Sequence, residues 1–413
     1  MGSKKFKQGG HLKIKVIKFL RKIFQALDEF VVFLNSLLPK REVVLKNKKI
    51  LVNRSARLGD ALYFLPEFFA AQEKLDVTVM TSEYNDEAFR HFFKTIPSKR
   101  KPRQDMLDGL VKKVFEDSFH IMQTCWWFIN SHLSDKEREY DVFICTTDDL
   151  TTLDYALPRS RYVVGTKKYY SLFFDRLIDT DIFSAVGLKI ERDYTYFKRT
   201  VDRIDSFVES IQIPKIKHPY LLINIGCKKG RNISDDSWIQ ILDKLERFGK
   251  KEGMEIAVMD NRDRETLSRL EAKLVGKQIH VINEPLTLWQ GYKLAKGSLL
   301  YVGMDIGPSH LLQMPTNSIM IYTVGNYRNW RQFAFGWHKE VSENGNVMEV
   351  GEIGQLSKAI LYHESSCRPC IDEECETGQC MAISSDFIAT QIEKLALESK
   401  GISTSKDAEG ARS

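Results

Sequence analysis

The chain has 413 residues, 61 of them basic and 55 acidic, for a net charge of +6, with 43% hydrophobic and 11% aromatic residues. That composition can build cores and excludes global disorder, and the length leads one to expect roughly two or three domains. The first fifty residues carry 13 Lys/Arg against 3 Asp/Glu while the remainder carries 48 against 52, so a nucleic-acid binder basic over its whole surface is disfavoured.

The positive N-terminal stretch has a helical pattern. Leu12, Val16, Leu20, Ile23, Phe24, Leu27 and Val31 recur at three- and four-residue steps. Lys18, Arg21, Lys22, Asp28 and Glu29 interrupt the apolar run, which argues against a spanning helix of about 20 apolar residues. No signal-peptide cleavage site follows it, and MGSKKF lacks the Ser or Thr of a myristoylation signal. A basic amphipathic helix over residues 11–38 remains, within an N-terminal extension of residues 1–47. It suits an in-plane anchor with its cations on an anionic membrane surface, or a helix packed on the body or on a second subunit.

From Lys48 onward short β-rich runs alternate with helical stretches, the pattern of parallel α/β sheets. KKILVN (48–53) predicts a strand and DALYFLPEFFAAQEKL (60–75) a helix. DVTVMTS (76–82), YDVFICTT (140–147) and RYVVG (161–165) predict further strands, and the polar stretch near 96–106 a loop. A second series starts at PYLLINIG (219–226) and continues through EIAVMD (255–260), IHVIN (279–283), SLLYVGMD (298–305) and NSIMIYT (317–323). IQIPKIKHP (211–219), with two prolines and no helical period, reads as the linker. The expected organisation is an N-terminal extension (1–47), two Rossmann-like domains (48–212 and 213–362) facing a central cleft, a Cys-rich segment with a C-terminal helix (363–398), and a disordered tail (399–413). Ligands of such sheets sit beyond the carboxyl ends of the strands.

Three strand-to-helix loops carry unusual residues. In Asn53-Arg54-Ser55-Ala56-Arg57-Leu58-Gly59-Asp60, Gly59 permits a tight turn. Asp60 arrives at a helix start, where a carboxylate is favoured as an N-cap or could face the cleft as a base. The loop 226–234 holds Gly226, Lys228, Lys229, Gly230 and Arg231. It matches neither the P-loop nor the dinucleotide fingerprint, and is either a solvated charge run or an anion site. In Gly303-Met304-Asp305-Ile306-Gly307-Pro308-Ser309-His310, Gly307 allows close backbone approach and Pro308 suits a first helical turn. The helix start that follows is an expected anion site. His310 alone would more often be structural.

Together these loops resemble glycosyltransferase family 9, the ADP-heptose:lipopolysaccharide heptosyltransferases. The family's R-x-x-x-L-G-D loop is matched by Arg54, Leu58, Gly59 and Asp60. Its basic loop before an aromatic-containing helix start is matched loosely by Arg231 and Trp238, with arginine where lysine is usual. Its G-x-D-[ST]-G-x-[ST]-H-L loop is matched by Gly303, Asp305, Gly307, Ser309, His310 and Leu311, with Ile306 in place of the Ser or Thr. Ala56 stands where the family has serine. The resemblance runs in order over about residues 48–395.

The resemblance implies an α/β chain of GT-B architecture, with an inverting transfer that needs no catalytic metal. It makes Asp60 the base that deprotonates the acceptor, and Arg231, with Lys228 or Lys229, the neutraliser of the departing diphosphate. Donor contacts are then expected from Arg54, Gly59, Asp305, Ile306, Gly307, Pro308, Ser309, His310 and Trp330. The implied donor is ADP-heptose or a related nucleotide sugar. The implied acceptor is a lipid-linked saccharide at the inner face of a bacterial inner membrane, and no nucleic acid is involved. Two other readings are carried: a protein heptosyltransferase of the autotransporter type, and a catalytically silent membrane-bound scaffold that binds nucleotide sugars.

Two motifs stand apart. Asp179-Thr180-Asp181 is a D-x-D of the metal-holding kind, but its segment looks helical and two acids two apart are common. Cys367, Cys370, Cys375 and Cys380 have the spacing C-x2-C-x4-C-x4-C. They could close a structural zinc or iron site, or lie in a reduced or disulfide-linked surface loop. With Cys125, Cys145 and Cys227 scattered, the cysteine usage suggests a reducing compartment.

Overall fold

The computed structural model describes residues 43, 45–53, 58, 62, 64–83, 85–98, 138–146, 155–156, 158–165, 176–177, 182–190, 193–227, 231–260, 265–323, 334–365 and 379–410. The N-terminal amphipathic segment, Asp179-Thr180-Asp181, and site candidates Arg54, Gly59, Asp60, Lys228, Lys229, Trp330, Cys367, Cys370 and Cys375 lie outside these residues. Among the described residues, no helix is long and apolar enough to cross a membrane.

The chain forms two compact units. The first holds the described residues up to Asn53 and from Glu67 to Ile190, and the second holds those between 58 and 66 and from Asp193 onward. The first unit's strands are β1 (Lys49–Asn53), β2 (Asp76–Thr81), β3 (Lys94–Pro97), β4 (Tyr140–Cys145), β5 (Ser160–Gly165) and β6 (Arg176–Leu177), with α1 (Leu65–Gln72) and α2 (Asp86–Phe89) between them. Every pairing is parallel, in the order β3-β2-β1-β4-β5-β6. Val- and Ile-rich strands buried over most of their length suit such a sheet. Phe68 of α1 packs edge-on or tilted against Phe89, Phe93 and Phe183 at 5.4–5.8 Å between ring centres. β3 occupies part of the stretch expected to be a loop.

The second unit repeats the plan. Its elements are α3 (Tyr194–Val208), β7 (Tyr220–Asn224), α4 (Asp235–Glu252), β8 (Glu255–Met259), α5 (Glu265–Leu274), β9 (Ile279–Val281), α6 (Leu288–Gly297), β10 (Leu300–Met304), α7 (Gly307–Leu312), β11 (Ser318–Tyr322), β12 (Phe335–Glu343), β13 (Asn346–Ile353), β14 (Leu356–His363) and α8 (Ser385–Gly410). The sheet order is β12-β13-β14-β11-β10-β7-β8-β9, parallel from β9 to β14 and antiparallel across β13 and β12. Counted from its own first strand, the parallel part runs 3-2-1-4-5, the doubly wound order, with β14 added parallel beside the fifth. The order reverses between β7 and β10, so the loops after these two strands leave the sheet side by side.

Local chemistry fixes the helices that support those loops. Ser234 caps α4 by accepting from the Ser237 N–H at 3.1 Å, and Gly253, at φ 68°, ends it. Asp235, Asp236 and Asp243 of α4 pair with Arg269, Lys273 and Lys277 on or just beyond α5. Thr287 and Gln290 close a capping box on α6.

Two differences from expectation have plain causes. Helix α3, ahead of the proline-containing linker, packs within the second unit: Phe207 meets Trp289 edge-on at 5.4 Å, and Asp205 accepts from Tyr292 and pairs with Lys296. Helix α8 runs to Gly410, past residue 399 where the tail was expected to begin. Its apolar face (Ile388, Ile392, Leu395) joins the core of this unit, and Lys400 donates to the Glu252 carbonyl at the end of α4.

Candidate functional site

The loops after β7 and β10 meet at the point where the strand order reverses. Arg231, on the first loop, and Asp305, on the second, approach to 3.7 Å between Nη1 and Oδ2, with side chains only 19% and 12% exposed. The other Asp305 oxygen lies 3.2 Å from Nε2 of His310, whose side chain is 2% exposed. Thr323, just after β11, donates its hydroxyl to the Arg231 carbonyl and fixes the main chain there. Structure thus brings together Arg231, Asp305 and His310 from segments almost eighty residues apart.

Beneath them lies a polar layer. Tyr301 on β10 donates its hydroxyl to Ser309 Oγ at 2.8 Å and accepts from Asn224 Nδ2 at 3.2 Å, all three residues being fully buried. Burial pushes the Tyr301 hydroxyl far above its ordinary pKa, so it stays protonated and keeps donating. Burial, reinforced by the Asp305 charge, does the same to Tyr322. Gly303 is needed here because a Cβ would stand 2.5 Å from the Tyr301 hydroxyl and 2.8 Å from Ser309 Oγ. Gly226 faces the same restriction, since a Cβ there would overlap the Asp260 carboxylate. Asn232 accepts from Trp238 Nε1 and donates to Thr266, tying the cationic loop to α5.

These positions sharpen the expectations for single residues. Ser309 is spent inside the unit on Tyr301. Ile306 occupies the N-cap position of α7 with extended dihedrals and no side-chain cap. Its side chain belongs to the core, and its N–H donates to the Met304 carbonyl at 2.8 Å. The Ile306 N–H is therefore already engaged within its own loop. Pro308 sits in the first turn of the six-residue helix α7, as expected. Cys380 is buried, and no group of His, Cys, Asp and Glu among the described residues could hold a metal ion.

Asn224, Tyr301, Asn232 and Thr323 were not singled out in the sequence. The detectable signal was a polar residue closing an otherwise apolar strand, as in YLLIN and SIMIYT. Such a residue lies at the carboxyl end, where ligands of parallel sheets bind.

Two doubly wound units, each on a sheet ordered 3-2-1-4-5, define the GT-B class of α/β protein. Neither a protein-family model nor a curated protein sequence matches this chain. Solved structures share its fold. The chain is similar to the E. coli heptosyltransferase WaaC with ADP (14% identity, 84% of this chain and 99% of that one, TM-score 0.51). It is similar to a family 9 glycosyltransferase from Veillonella parvula DSM 2008 (13%, 87% and 100%, TM-score 0.55) and to E. coli ADP-heptose lps heptosyltransferase II (11%, 85% and 99%, TM-score 0.52). The fold is that of the family 9 heptosyltransferases.

Proposed function

We propose that this protein is an inverting glycosyltransferase that needs no catalytic metal. It moves heptose, or a similar sugar, from a nucleotide donor of the ADP-heptose kind to a lipid-linked saccharide of the lipopolysaccharide type. The observation that carries the reading is the meeting of Arg231, Asp305 and His310 at the strand-order reversal of the second sheet, in a fold shared with a heptosyltransferase solved with ADP.

The chemistry follows from charge. In a single displacement the acceptor oxygen bonds to the anomeric carbon as the bond to the diphosphate breaks. Asp60 takes the acceptor proton. Negative charge then grows on the departing ADP, and Arg231 stabilises it. Asp305, oriented by His310, is left to accept hydrogen bonds from donor hydroxyls. The basic N-terminal helix would hold the enzyme at an anionic membrane where lipid-linked acceptors reside.

Incubation with ADP-heptose and a lipid-linked saccharide tests this by release of ADP and mass gain of the acceptor. Asp60→Asn is expected to abolish transfer while leaving ADP binding intact, and retained turnover would remove Asp60 as the base. Ile306 favours a second reading, a silent nucleotide-sugar-binding scaffold, because neither its side chain nor its N–H is open to a phosphate. Saturable ADP binding with no release from any nucleotide sugar would select that reading.

A further inference from the structure

Lys358, on β14, is a buried lysine, 2% exposed. Its Nζ donates to the carbonyls of Gln313, Met314 and Thr316, so each ammonium N–H can meet a main-chain oxygen. Among the described residues it forms no ion pair. Burying an ammonium away from any carboxylate is costly, and an apolar residue of similar length would be easier to bury. The compensation lies in what the three carbonyls belong to.

They follow directly on α7, the helix Gly307–Leu312. A helix of six residues is far below the roughly 12–15 at which isolated helices begin to hold. Its last turn is closed by main-chain donors, the Gln313 N–H to the Ser309 carbonyl and the Met314 N–H to the Leu311 carbonyl, and Lys358 gathers the carbonyls of the turn that follows. A cation at that end also complements the helix dipole. At a rise of about 1.5 Å per residue the helix is a rod of roughly 9 Å; its start follows Asp305 closely, and Ser309 and His310 lie in its middle, within a turn of the clamped end.

We propose that Lys358 is a positioning residue for the Asp305 loop: by clamping the C-terminal end of α7 it fixes His310, and through His310 the Asp305 carboxylate opposite Arg231. The proposal rests on the reading of this loop as part of the donor site.

Hydrogen exchange on the full-length wild-type chain gives the first test. The amides of Leu311–Met314 should be protected as well as those of Tyr301–Gly303 on β10. Exchange at the rate of a frayed end would overturn the clamp. The second test compares Lys358→Met, which keeps the length without donors, with Lys358→Gln, which keeps two. At a temperature where both are folded by circular dichroism, ADP affinity measured by calorimetry should fall at least about fivefold for Met and less for Gln. Exchange should rise in 305–316 but not in β8. Wild-type ADP affinity in both variants, with only a lowered Tm, would make Lys358 a stability residue and overturn the proposal. If neither variant folds, wild-type protection decides. Failure of the wild-type chain to bind ADP would instead count against the donor-site reading, with the exchange pattern still deciding the clamp.

Discussion

His310 Nε2 stands 3.2 Å from Asp305 Oδ1, in a setting where the imidazole is almost fully enclosed. A carboxylate oxygen can only accept, so any hydrogen bond across this contact has His310 Nε2 as its donor. A charge-assisted hydrogen bond of this kind contributes about 1.5–3 kcal/mol. His310→Ala should therefore lower kcat roughly 10- to 100-fold, and His310→Gln, which can still donate to Asp305, should recover part of it. Steady-state kinetics with ADP-heptose would show the loss in kcat with a small change in KM. A loss confined to KM would mean that His310 contributes to binding alone.

Arg231 makes a different contribution. Its main chain is held by Thr323 and its guanidinium faces the switch point of the sheet. Arg231→Ala should weaken ADP binding by about 10- to 100-fold, the range for a charge-assisted contact to phosphate. Arg231→Lys should fall between, since the charge stays but the planar two-pronged geometry is lost. Calorimetry at several salt concentrations checks this. The wild-type affinity should fall as salt rises and the Ala variant should be less sensitive. Equal affinities in all three proteins would exclude Arg231 from the anion site.

The parts of this arrangement legible in the sequence are those set by local pattern. Apolar runs such as YLLIN and SLLYVGM announced the strands, and Gly303, Asp305 and Arg231 stood out through their place in the strand-to-helix loops and the family motifs these loops resemble. Strand order was not legible, because pairing β7 with β10 depends on contacts far apart in the chain, yet it is this pairing that brings Arg231 to Asp305. The β12–β14 meander was missed although Asn344-Gly345 signalled a hairpin: both residues have positive φ, 49° and 79°, as a tight two-residue turn requires. Ser309 and Ile306 look available in sequence. Only the fold shows the first spent on Tyr301 and the second's N–H on Met304.

Ile306 gives a gain-of-function prediction. Its backbone, at φ −134° and ψ 159°, already has the extended geometry of an N-cap. Ile306→Thr keeps the β-branch and offers a hydroxyl to the first turn of α7 or to a phosphate. The added hydrogen bond, about 0.5–1.5 kcal/mol, should raise ADP affinity roughly two- to tenfold. Replacing the ethyl branch of a core side chain by a hydroxyl should cost stability of comparable or greater size. Calorimetry and thermal unfolding separate the two effects, and an unchanged ADP affinity would place the phosphates away from this helix start.

Lys358 makes the stability of the second unit depend on pH in a stated direction. Burial pushes its ammonium down to about 7 from an ordinary 10.5. The folded pKa is then the lower one, so between about pH 7 and 10.5 the unfolded chain holds a proton that the folded chain has released. Stability must rise with pH across that window, by at most about 1.4 kcal/mol per pH unit for one proton. The three carbonyl acceptors favour the charged form and pull the other way. Urea unfolding of wild type and Lys358→Met at pH 7, 8 and 9 isolates this residue, because other titrating groups cancel in the difference. The difference should shift in favour of the wild type as pH rises. A difference that stays flat would show that the carbonyls outweigh burial, and that Lys358 keeps its proton through the whole range.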